Sequence, residues 1–266
     1  MKIPYQNIMK KILILALSIG ATLGNAFAQK PMAPAMKQEP PVSAEPKPVK
    51  LLLDSTTTFN QTVTIKGTKI PYNVTVGTQP VWDEGGKAIA GVFYTYYERS
   101  DIKDRKSRPL VISFNGGPGT ASVWMHMAYT GPKLLNIDDE GYPLMPYSIK
   151  DNPNSILDIA DIIYIDPVNT GYSRMANKDI PKSKFFGVNA DIKYLAEWLS
   201  TFVSRKNRWL SPKYLIGESY GTNRVSGLAL ELQNASWMYL NGVVLVSPTN
   251  LGIDREGPVG AANLLP

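Results

Sequence analysis

The sequence contains no cysteine and one histidine, His126, in 266 residues. Structural zinc sites draw mostly on those two residue types, so no such site is expected, and no cofactor of another kind is called for. The absence of disulfides says little about compartment, because a chain of this length stabilises itself by burial. Charge of one sign is also scarce. The 28 basic and 22 acidic side chains give a net charge of +6. The densest basic run, DIKDRKSR at residues 101–108, is interrupted by two aspartates. It reads as a solvated loop, and no nucleic-acid partner is expected. Long apolar runs are missing too. The most apolar stretch, residues 12–19, is shorter than the ~20 residues that span a bilayer.

That stretch belongs to a leader. Lys10 and Lys11 precede it, and the small residues Ala26 and Ala28 follow. This is the pattern of a secretory signal peptide over about residues 9–28, cleaved after Ala28. An exported protein, periplasmic or secreted, is therefore expected, with no stable membrane insertion after cleavage. Removing residues 1–28 leaves 25 basic against 22 acidic side chains. Residues 29–54 are proline-rich and read as a linker. From there to residue 266 the pattern is that of a folded domain.

Alternation of β-branched and polar residues after Phe59, with a turn at Gly85-Gly86, predicts antiparallel hairpins. Four short apolar stretches follow, at 110–114, 162–165, 214–216 and 243–246. Such stretches suit strands buried on both faces. Between the second and third, VNADIKYLAEWLSTFVSR puts Ile192, Leu195, Ala196, Leu199, Phe202 and Val203 on one helical face, with Asn189 as N-cap. The fold class is α/β, a mostly parallel sheet extended by the N-terminal antiparallel hairpins.

Two segments carry chemistry. In YLIGESYGTNR, a strand runs into Gly217-Glu218-Ser219-Tyr220-Gly221 and a helix follows. G-x-S-x-G in that setting is a nucleophile elbow, which lifts the serine oxygen clear of the sheet; out of context it is also an ordinary glycine turn. In LVISFNGGPGTAS, a strand ends in Asn115-Gly116-Gly117-Pro118-Gly119. Its unhindered amides suit an oxyanion hole, where each donor is worth about 3–4 kcal/mol in the transition state. A plain turn would look the same.

Together NGGPG at 115–119, IDPVNTGYSR at 165–174 and GESYG at 217–221 resemble the serine carboxypeptidases of the α/β-hydrolase fold. The resemblance covers roughly residues 55–266, and TGPKLL at 130–135 with the second hairpin is similar to bacterial members. It implies Ser219 as nucleophile and the amides of Gly117 and Tyr220 as oxyanion hole. It further implies that Asn115, the Gly116 amide and Glu218 recognise the substrate's terminal carboxylate. In the family a second glutamate shares a proton with the first, since two like charges cannot both ionise there. Here Tyr129 stands at that position, thirteen residues after Gly116, and its hydroxyl could donate to the carboxylate instead. The implied substrate is a peptide, or a small ester or amide.

The base is the gap. In this fold the triad runs Ser, then Asp or Glu, then His. His126 precedes Ser219 and sits among Trp124, Met125 and Met127, so a half-buried structural role is expected for it. Asp254 reads as a loop residue. The final PVGAANLLP has no closing helix, and the expectation is the N-terminal portion of a longer, incomplete domain. These 266 residues alone are then expected to be nearly inactive. Two alternatives share the scaffold: an esterase or acyltransferase, and a non-catalytic binding or vestigial protein.

Overall fold

The computed structural model describes residues 52–248. The leader, most of the linker and Asp254 lie outside the described residues. The linker's last residues, Leu52–Asp54 by number 52–54, already dock on the folded part. Thr78 Oγ1 donates to the Leu52 carbonyl at 2.6 Å, and Arg205 makes two bonds to the Asp54 carboxylate at 2.8 and 3.0 Å.

Strands β1 (Ser55–Ile65) and β2 (Thr68–Trp82) form the first antiparallel hairpin. Lys66 and Gly67 connect them, with φ of 48° and 78°. Two left-handed residues match the right-handed twist of the flanking strands. Strand β3 (Ala88–Arg99) pairs antiparallel with β2. In the intervening turn the Asp83 carboxylate accepts from the amides of Gly85 and Lys87.

After β3 the rhythm changes as expected. Strand β4 (Leu110–Phe114) is followed by a small two-stranded excursion, β5 (Lys133–Leu135) with β6 (Ile149–Asp151). Then come β7 (Asp161–Ile165), the two-residue β8 (Arg174–Met175), β9 (Lys213–Glu218) and β10 (Gly242–Val246). The main sheet has the order β1-β2-β3-β7-β4-β9-β10, with β8 on β3. The pairs β7–β4, β4–β9 and β9–β10 are parallel.

Helices α1 (Val188–Arg205) and α2 (Tyr220–Ser236) pack on one face of this sheet. Leu195, Ala196, Leu199, Phe202 and Val203 of α1 are buried, and Trp198 stacks on Phe202 beneath Tyr94. Each such large apolar side chain contributes about 1.5–3 kcal/mol by leaving water. The opposite face carries a smaller cluster of Val63, Ile65, Tyr72, Tyr97, Leu157 and Tyr164.

Three expectations need correction. Asn189 is not the N-cap of α1: the helix starts at Val188, with Gly187 at the cap position and φ of 111°. The run at residues 101–108 is not solvated throughout. Arg108 is buried, donating to Asp161 Oδ1 at 2.6 Å and to the Leu157 carbonyl at 2.7 Å. Asp161 also accepts from Arg208 at 2.6 Å, so one carboxylate neutralises two buried guanidiniums. Finally, β10 is not covered on both faces. Val243, Val244 and Leu245 are 39%, 47% and 48% exposed, and β10 pairs with β9 alone among the described strands.

Candidate active site

Both sequence motifs fall at the carboxyl ends of adjacent parallel strands. Asn115 follows β4 and Ser219 follows β9, and the two strands pair directly through Leu110–Lys213 to Phe114–Gly217. In open α/β sheets ligands gather at that end, where strand order reverses. Here the chain leaves β4 for β7 on one side and returns past it to β9 on the other.

The turn after β9 is sharp. Ser219 has φ of 56° and ψ of −125°, an unfavourable conformation for a side chain, and helix α2 begins at the next residue. Such strain persists only where the surroundings fix it. Two contacts do so: the Ser219 amide donates to the Val246 carbonyl at 2.9 Å, and Thr222 donates back to the Ser219 carbonyl through its amide and hydroxyl. Gly217 is required by close approach, since a Cβ there would lie 2.1 Å from the Gly221 carbonyl oxygen.

The loop after β4 lies against this turn. A Cβ on Gly116 would meet the Tyr220 nitrogen at 2.6 Å and Ser219 Cβ at 2.8 Å, so only glycine admits the elbow this close. Asn115 is buried and held at both ends: one Nδ2 hydrogen goes to Glu218 Oε2 at 3.0 Å, and Oδ1 accepts the Met125 amide at 2.9 Å. Asn115, Gly116, Glu218, Ser219 and Tyr220 are thus brought together, with Gly117 next in the loop. Tyr129 is not drawn in. Its side chain is 57% exposed and reaches neither Asn115 nor Glu218; only its carbonyl is held, by Asn152 Nδ2 at 2.9 Å.

His126 is committed elsewhere. Its Nε2 lies 2.6 Å from the Tyr97 hydroxyl and its ring stacks on Tyr164 at 4.5 Å. Burial lowers its pKa from 6.5 to about 4. No three His, Cys, Asp or Glu side chains gather to hold a metal among the described residues.

Sequence reasoning missed three residues that hold the site. Arg224, one turn into α2, is 2% exposed. Its Nε donates to Asp191 at 2.6 Å, and its terminal nitrogens donate to the carbonyls of Asn115 at 3.0 Å and Pro118 at 3.3 Å. Its guanidinium also covers the Tyr220 ring at 5.3 Å. One side chain therefore ties α1, α2 and both ends of the glycine loop. The third residue is Asp166, after β7. It accepts the Ser122 amide at 2.9 Å, while Ser122 Oγ donates to the Ile165 carbonyl at 2.5 Å. Burial pushes the Asp166 carboxyl above the usual carboxylate range. A signal for the first two existed. Arg224 shares a helical stripe with Leu228 and Leu232, and Asp191 shares one with Leu195 and Leu199. Opposite charges on two apolar stripes call for each other.

Comparison with known proteins gives the family of the chain. A family profile described as serine carboxypeptidase matches residues 82–249. Serine carboxypeptidase-like 36 of Arabidopsis thaliana is 31% identical over 173 residues, covering 63% of this chain and 33% of the relative. The pheromone-processing carboxypeptidase KEX1 of Saccharomyces cerevisiae is 29% identical over 158 residues, covering 57% of this chain and 21% of the relative. The solved structure of Kex1(delta)p, a prohormone-processing carboxypeptidase from the same yeast, aligns with a TM-score of 0.53 at 24% identity, over 65% of this chain and 38% of that one. The chain spans well under half the length of each. These relatives are eukaryotic, so they lend no support to a specifically bacterial type. With most of its described residues matched by the family profile and its sheet shared with a solved member, the chain belongs to the serine carboxypeptidase family and has the α/β-hydrolase fold.

Proposed function

We propose that the protein is a serine carboxypeptidase that releases C-terminal residues from peptides through an acyl-enzyme on Ser219. In this reading Ser219 Oγ bonds to the scissile carbonyl carbon, and the amides of Gly117 and Tyr220 take the developing oxyanion. The C–N bond then breaks as the amine leaves with the serine's proton, and water releases the acyl group by the reverse path. Asn115, the Gly116 amide and Glu218 receive the leaving residue's carboxylate.

The observation that carries the reading is the strained Ser219 with the Gly116 backbone packed directly against its turn. The proton carrier is the open requirement. His126, the one histidine in the sequence, is held by Tyr97 and Tyr164, so in this reading no histidine of these 266 residues serves as the base. Alone they are expected to show little more than the ~10³–10⁴-fold catalysis that binding and an oxyanion hole leave when a triad member is lost. The leader implies export, periplasmic or secreted, with a mature chain starting at Gln29.

A second reading, an esterase or acyltransferase on the same elbow, is favoured by the exposed Tyr129 in place of a second glutamate. One experiment separates them. The purified natural gene product is offered N-blocked dipeptides with a free or an amidated C-terminus, and N-blocked amino-acid esters. A carboxypeptidase cleaves the free acid and spares the amide, and Ser219→Ala abolishes both this and fluorophosphonate labelling. Turnover of esters alone would favour the second reading; labelling that survives Ser219→Ala would sink both.

A further inference from the structure

Strand β1 lies at one end of the sheet order and pairs with β2 alone among the described strands. Its ladder tells which backbone groups face outward. The chain turns at Lys66 and Gly67, so Ile65 and Thr68 close the hairpin as a hydrogen-bonded pair, and every second pair along the ladder is of the same kind. Odd-numbered residues of β1 therefore spend their amides and carbonyls on β2, and even-numbered ones aim theirs away from it. Thr64 follows this rule: its amide donates to the Asp151 carboxylate, on β6, at 2.8 Å. That contact covers the end of the edge, and Thr56, Thr58, Asn60 and Thr62 make up the rest.

Sheet edges are normally guarded by charge, proline, a bulge or shortness. Strand β1 has none of these. It runs for 11 residues, STTTFNQTVTI, without a charged residue or a proline, and its register with β2 is unbroken. At the other end of the sheet, β10 has only five residues. Strand β1 also carries an apolar side chain that the fold covers only in part. Phe59 shares a face with the buried Val63 and Ile65 but is 50% exposed.

The outward residues are symmetric about Phe59. A second β1 laid antiparallel, on a two-fold axis at Phe59, pairs Thr56 with Thr62 and Thr58 with Asn60, and each pair exchanges two bonds. The two Phe59 rings then stand opposite each other, in the pair type whose side chains approach most closely. On the other face Thr meets Thr and Thr meets Asn, pairs that can hydrogen-bond, as Thr58 already does with Thr75 at 2.8 Å. Charge agrees with the arrangement. Asp54 precedes the strand and Lys66 follows it, so the acidic end of one copy adjoins the basic end of the other. Each is neutralised within its own copy, Asp54 by Arg205 and Lys66 by Asp158, so pairing strands no lone charge. We propose that β1 joins two copies of this chain edge to edge, with Phe59 on the two-fold axis. The dimer is closed, because each copy spends this edge once.

Sedimentation of the natural gene product over a series of concentrations should show a monomer–dimer equilibrium. Asn60→Pro removes an outward N–H and leaves the ladder with β2 whole. Phe59→Lys sets two like charges against each other on the axis. Each should weaken the dimer roughly tenfold or more. Neither should move the melting temperature by more than a few degrees at a concentration where the wild type is monomeric. Cross-linking tests the register, and decides alone if the edge variants fail to fold. Residues 1–266 contain no cysteine. With oxidised glutathione, Phe59→Cys should form a disulfide-linked dimer in excess of the wild type, while Gln61→Cys, which the axis sets opposite Thr57, should not. The proposal is overturned by a protein that stays monomeric up to its solubility limit, or by a dimer that survives both edge variants. Cross-linking through Gln61→Cys equal to that through Phe59→Cys overturns it as well.

Discussion

At the scale of single residues, a buried ion pair anchors the site. Replacing Arg224 by Met leaves the Asp191 carboxylate buried without its cation. Breaking such a pair costs about 3–5 kcal/mol, whereas removing both partners is far milder. Urea unfolding should show that loss for Arg224→Met and recover much of it in Arg224→Met with Asp191→Leu; a double variant as unstable as the single would contradict the pairing. His126 gives a pH dependence with a definite sign. Burial holds its folded pKa at about 4 against 6.5. The unfolded chain thus binds the extra proton between those values, and stability falls as pH drops from about 6.5 to 4, by on the order of 3 kcal/mol. His126→Phe keeps a ring against Tyr164 and removes the titration. Its urea midpoint should be flatter than wild type across that window, and an identical slope would count against this account.

At the scale of elements, glycines with the same crowding differ in what surrounds them. A Cβ on Gly217 would lie 2.1 Å from the Gly221 carbonyl oxygen, and a Cβ on Gly227 would lie 2.1 Å from Ile192 Cδ1. The first neighbour is backbone in a strained turn and cannot retreat. The second is the tip of a side chain on α1, and alanine also gains up to about 1 kcal/mol of helix propensity over glycine. Gly217→Ala should therefore lose about 3 kcal/mol or fail to fold, while Gly227→Ala should sit within about 1 kcal/mol of wild type. Thermal melts that reverse this order would refute the comparison. The same contrast explains what could be read from the sequence. Strands β4, β7 and β9 and helix α1 announced themselves through apolar stretches and a 3.6-residue stripe. The two site loops did so through G-x-S-x-G and NGGPG. Asn189 failed as N-cap because Gly187, two residues earlier, already turns the chain into the helix. Arg224, Asp191 and Asp166 bond partners 33 to 109 residues away, and no local pattern in the chain encodes which partner that is.

At the scale of the molecule, the exposure of Val243, Val244 and Leu245 distinguishes β10 from the other parallel strands. An uncovered apolar strand with one free edge among the described strands invites pairing with another chain. The 266-residue protein should self-associate as concentration rises, and Val244→Lys should reduce the effect by light scattering without altering the melting temperature by more than a few degrees. Equal association of both proteins would place the sticky surface elsewhere. No described helix is long and apolar enough to cross a membrane.

The pairing of β4 with β9 also has a consequence for biosynthesis. Asn115 and Glu218, hydrogen-bonded in the finished fold, are 103 residues apart in sequence. A ribosome adding about 5–20 residues per second needs roughly 5–20 s to make that span. The hairpins of β1, β2 and β3 close on neighbours already synthesised, whereas β4 emerges well before β9, which flanks it on one side. Through that interval the glycine loop exists without its serine, and β4 has β7 alone to pair with, which leaves an apolar edge open to holdases.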